Sequence, residues 1–156
     1  MTFYILLNQV TTLFLSLNLL TTLSFDSEIQ SYLYGGSKED VFFQVTNNNK
    51  TLVLKPQRAT GFSNLMVVTK KRKYYFKVDY DPSHPHEFVE VRDGVINHAY
   101  KHLKEFEDFE IKEGGASLLV VKKKNKDIVI NGVRVERREY FSKGVPLLYE
   151  GNRILN

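Results

Sequence analysis

Four histidines, a run of carboxylates and two lysine clusters are the residues here whose types and spacing could do chemistry. His84 and His86 are one residue apart, and His98 and His102 stand four apart, a spacing that puts two imidazoles on one face of a helix. Either pair could offer two ligands to one metal. Neither sits in a His-Glu-x-x-His frame, and the loop of the first pair is broken by Pro82 and Pro85, so surface histidines without a metal are expected. Glu105, Glu107, Asp108, Glu110 and Glu113 crowd one charged segment and are expected to form a solvated face. The chain contains no cysteine, which removes disulfides, thiolate metal sites and a cysteine nucleophile. It also lacks a Gly-x-Ser-x-Gly elbow and a phosphate-cradling glycine loop. No enzymatic activity, cofactor or small-molecule substrate is expected.

Lys70-Lys71-Arg72-Lys73 followed by Tyr74, Tyr75 and Phe76 has the composition of a single-strand-binding surface. Alternation points Tyr74 and Phe76 to the same side, toward a core, and leaves the lysines to solubilise a hairpin tip. Nucleic acid is therefore disfavoured as a partner. The net charge of +4 permits an anionic partner without requiring one.

The elements that position these residues read as mainly β. Val41–Thr46 and Thr51–Lys55 flank the turn cluster Asn47-Asn48-Asn49, and Pro56 ends the second run. A polar loop over 57–63 leads to a second hairpin, Leu65–Thr69 and Tyr74–Tyr80. Asn97 to Asp108 reads as one short helix, capped by Asn97, with Ala99, Leu103 and Phe106 along one face. Strands resume at Phe109, and Ile128–Val135 is a hairpin about Asn131-Gly132, a dipeptide suited to a type I′ turn. The expected architecture is two small β-sandwich lobes, 25–92 and 109–156, joined by a linker or short helix over 93–108. Lobes this small leave sheet edges open. The least guarded is the apolar pair of runs holding Val41, Phe43, Val45, Leu52, Val53 and Leu54, where a partner strand could add.

Met1 to Ser24 has no charged side chain, an apolar centre over Leu13–Leu20, and Thr22-Leu23-Ser24 as a small-x-small site. It reads as a cleaved signal peptide ahead of Phe25, in preference to a retained membrane anchor or a buried helix.

Asn64-Leu65, Val67, Thr69, Arg72, Tyr74 and Phe76, preceded by Leu52-Val53-Leu54-Lys55-Pro56, resemble the central motif of the type IV secretion outer-membrane core-complex protein, the conjugal-transfer family named after TrbG and CagX. The similarity covers roughly residues 41–78, about a quarter of the chain. It implies two β-sandwich domains in a periplasmic, outer-membrane-associated subunit. Such a subunit works in a homo-oligomeric ring, contacts a small outer-membrane lipoprotein and packs against the channel-forming subunit. A small basic β-barrel binding single-stranded nucleic acid, or another periplasmic pilus- or secretin-associated module, are the alternatives.

Overall fold

The computed structural model describes residues 1–59 and 61–156, so Thr60 of the 57–63 loop lies outside the described residues. These residues form seventeen strands in four sheets, with no helix among them. They cluster into two compact units, one of Met1–Thr2 and Val10–Arg92, the other of Phe3–Gln9 and Asp93–Asn156.

The first unit holds β2 (Val10–Leu15), β3 (Thr21–Phe25), β4 (Ile29–Tyr34), β5 (Val41–Thr46), β6 (Thr51–Pro56), β7 (Ser63–Thr69), β8 (Lys73–Tyr80) and nearly all of β9 (Phe88–Asp93). It also takes the start of β1 (Thr2–Ile5). One sheet has the order β1-β9-β3-β6-β5, with β3 parallel to β9 and antiparallel to β6. The other is β2-β8-β7-β4, with β2 parallel to β8. Strict alternation turns Tyr74, Phe76 and Val78 of β8 inward. Phe25 of one sheet meets Tyr74 of the other at 5.3 Å between ring centroids, and Phe43 of β5 lies between Tyr32 and Tyr34 of β4. This is a sandwich whose inner faces interdigitate.

The stretch read as a cleaved leader is instead three strands, a correction that follows from its turns. Asn8 and Asn18 take left-handed backbone (φ 65° and 69°) in the turns after Leu6 and Ser16, so the polar residues that loosen the apolar run are turn and strand residues. Phe3, Ile5, Leu13, Leu15 and Leu23 are fully buried, and β3 has a neighbour on both sides.

The second unit pairs β10 (Lys101–Glu105), β11 (Phe109–Glu113), β12 (Leu118–Lys122) and β15 (Arg138–Phe141) in that order. Its other sheet orders β14 (Val133–Val135), β13 (Ile128–Ile130), β16 (Leu147–Tyr149) and β17 (Asn152–Leu155). Asn131 and Gly132 both have positive φ, as the type I′ turn requires.

The expected helix over Asn97–Asp108 is also corrected. Lys101–Glu105 is an exposed, charged edge strand on β11, and Phe106–Phe109 turns the chain. Asn97 caps no helix. Its Oδ1 accepts from the Ala116 amide at 3.1 Å and the Ser117 hydroxyl at 3.3 Å, while its own amide donates to the Tyr100 hydroxyl at 2.9 Å. Twelve residues cannot hold a helix without tertiary contacts, and the tertiary pairing on offer here is a strand's. Residues 93–108 are thus part of the second unit rather than a linker.

Candidate interaction surface

The motif-bearing stretch folds as the β7–β8 hairpin, and each of its residues there has a physical job. Leu65 pairs with Phe76 and Val67 with Tyr74, and all four side chains are buried. Thr69 closes the turn: its Oγ1 accepts from the Lys71 and Arg72 amides, both at 3.2 Å, and lies 3.1 Å from the Arg72 carbonyl. The Arg72 guanidinium lies over the Tyr74 ring at 4.3 Å. Asn64 stands at the start, its carbonyl accepting from the Gly35 amide at 2.9 Å. A Cβ at Gly35 would meet the end of the Asn64 side chain, which would have to move aside. Pro56 is buried at the end of β6 opposite Val41, and Lys55 beside it is exposed.

The runs expected to dock a partner divide by face. β5 is a sheet edge, whereas β6 lies between β3 and β5. Val41, Leu52 and Leu54 are buried core residues, and Phe43 packs on two tyrosines, so these side chains are not available to a partner. Val45 and Val53 are half-buried. The exposed residues on these strands are Phe42, at 54 %, Gln44, Thr46 and Lys55, and Phe42, Gln44 and Lys55 border, with Leu20 and Val53, a depression of about 410 Å³. Alternation along Val41–Thr46 carries this signal, since its even-numbered residues point out.

Five lysines of the cation clusters are paired. Lys70 meets Glu28 at 2.9 Å and Lys71 meets Asp26 at 3.1 Å. In the second unit, Lys123, Lys124 and Lys126 reach Glu105, Glu107 and Asp108 at 2.9, 3.1 and 2.9 Å. The hydrogen bond from Lys126 holds the Asp108 carboxyl below its ordinary range, and Lys123 does the same to Glu105. The acidic segment and the second basic turn thus neutralise each other across neighbouring strands. Tyr74 and Phe76 are buried, while Tyr75 stays exposed on the face of β8 that carries Lys73 and Lys77.

The histidines separate likewise. His84 and His86 diverge: His86 is buried, its Nδ1 accepts from the Phe14 amide at 2.9 Å, and its carbonyl accepts from the Thr21 hydroxyl at 2.6 Å. It pins the proline-containing loop to β2 and β3, a role that sequence spacing does not announce. His102 is exposed on β10, with Nδ1 at 2.6 Å from Glu110 and 3.8 Å from Glu105. A bulge between His102 and Lys104 brings His102 and Glu105 to one face, and the ligand atoms of the three residues lie within 4.8 Å of one another. Such a trio could hold a cation, in competition with Lys123 for Glu105.

No protein-family model matches the chain, and no curated protein matches it in sequence.

Proposed function

We propose that the chain is a non-enzymatic structural subunit of an envelope-spanning type IV secretion or conjugation machine, working by association of its first unit with other chains in a periplasmic ring at the outer membrane. The observation that carries this reading is the β7–β8 hairpin. The motif behind the family resemblance is a single structural unit, with Leu65, Val67, Tyr74 and Phe76 in the core, Thr69 closing the turn and Arg72 on the Tyr74 ring. Such residues specify a fold rather than a reaction, as suits a scaffold. The exposed β5 edge, bearing Phe42, offers a place for strand addition. The partners on this reading are other copies of the chain, a small outer-membrane lipoprotein and a channel-forming subunit.

The test is sedimentation of detergent-extracted envelopes from the native host. The chain is expected in a particle far larger than its 18.1 kDa, together with other secretion subunits. Phe42→Lys is expected to keep the fold and reduce incorporation. A chain found only as a free monomer outside the envelope overturns the reading. Full incorporation of a well-folded Phe42→Lys variant would move docking away from β5.

A further inference from the structure

We propose that the outer face of the β2-β8-β7-β4 sheet is a docking surface for an acidic amphipathic helix of another chain. This deepens the assembly reading by naming the chemistry of a partner, and rests on that reading only for its biological setting.

The strand register places four apolar residues in one row across the sheet. Val10 is opposite Tyr75, Tyr75 opposite Met66, and Met66 opposite Leu33. Val10, Tyr75 and Leu33 are 49, 41 and 66 % exposed, and Met66 is half-buried. An apolar row that crosses every strand of a sheet and remains in water is the kind of patch that marks a binding site. It borders a depression of about 380 Å³ that reaches Gly35 and Asn64. Methionine at its centre adapts to the shape of what it meets.

Charge selects the occupant. On β8 the residues that share Tyr75's face are Lys73 and Lys77, one on each side of the row. Neither makes an ion pair among the described residues, although Lys70, Lys71, Lys123, Lys124 and Lys126 do. The Lys77 ammonium rests instead over the exposed Phe62 ring at 4.4 Å. Asp79, the next residue on that face, spends a carboxylate oxygen on the Tyr80 amide. A second copy of the same face would set lysine against lysine. A partner with carboxylates flanking apolar side chains would pair both cations while covering the row.

The dimensions suit a helix. Four strands about 4.8 Å apart make a row about 14 Å long. Two residues of strand on each side of Tyr75 set the lysines about 14 Å apart. A helix about 10 Å across fits between them, and about ten of its residues span the row.

The experiment titrates two synthetic helical peptides into the full chain. Both carry one leucine stripe, flanked by glutamate in the first and by lysine in the second. The glutamate peptide is expected to bind about tenfold more tightly, a preference of about 1.4 kcal/mol. Its amide shifts should centre on Val10, Leu33, Met66 and Tyr75. Lys73→Glu with Lys77→Glu is expected to reverse the preference, and Leu33→Ser with Met66→Ser to weaken both peptides, circular dichroism confirming that each variant is folded. Equal affinities, or a preference that survives charge reversal, overturn the proposal. So does dimerisation of the chain alone through this face, or tighter binding to phosphatidylglycerol vesicles than to the glutamate peptide. If the peptide binds as expected while the chain never enters an envelope particle, the surface stands and the secretion reading falls. If the particle forms and the peptide is ignored, the surface alone falls.

Discussion

Tyr74 and Phe76 carry two kinds of information, since aromatics beside four cations suit either a base-stacking platform or a core. Burial decides for the core, and Tyr74→Ala or Phe76→Ala is expected to cost about 3–5 kcal/mol in chemical denaturation. Lys70→Ser with Lys71→Ser should stay within about 0.5 kcal/mol, because those ion pairs are exposed. Silent aromatics and costly lysines would invert the facing of β8. Tyr80 adds a pH dependence. Burial, with the Tyr34 and Asp40 charges behind it, pushes its hydroxyl up to about 12 from an ordinary 10. The folded state therefore favours the protonated phenol: the stabilisation is fully present below pH 10 and is lost as pH rises through about 12. Melting temperature should fall over that window in the parent, and the fall should be shallower in Tyr80→Phe. Identical slopes in parent and variant would assign the alkaline transition to other tyrosines.

At the scale of elements, local chemistry was legible and distant pairing was not. The Asn131-Gly132 turn follows from two residues, and Gly132→Ala, at φ 77°, should cost about 1–2 kcal/mol in thermal or urea unfolding. An unchanged midpoint would mean that the turn tolerates a different backbone. Alternation likewise exposes β7 and β8 to a reader of sequence. The parallel partners are another matter. Val10 lies beside Tyr75 and Thr22 beside Phe88, and no local pattern announces either register. The row Val10-Tyr75-Met66-Leu33 was invisible for the same reason, being assembled from four separated strands. Ala99, Leu103 and Phe106 mimicked a helical stripe because three apolar residues in a charged stretch fit more than one period. The charges of β10 are the better clue, since Lys101, His102, Lys104 and Glu105 suit an exposed edge.

For the molecule as a whole, the first twenty-four residues test the fold most severely. Absence of charge and a leucine-rich centre are what a secretory leader and a buried set of strands have in common, so composition alone could not separate them. The discriminating features are Asn8 and Asn18 in left-handed turns and the placing of Leu13, Leu15 and Leu23 in the core, with Leu17, Leu19 and Leu20 left partly exposed near the turn. Removing residues 1–24 would delete β1, β2 and nearly all of β3, and would strip both neighbours of β3 of a partner. It would also remove the buried side chains of Phe3, Ile5, Leu13, Phe14, Leu15 and Leu23. At about 1.5–3 kcal/mol each, six such residues rival the roughly 5–15 kcal/mol that holds a whole domain together. A chain beginning at Phe25 is therefore expected to show no cooperative melting transition and to aggregate through its exposed sheet edges, whereas the full chain melts cooperatively. A Phe25 form that melts as sharply as the full chain would show that residues 1–24 are dispensable to the fold.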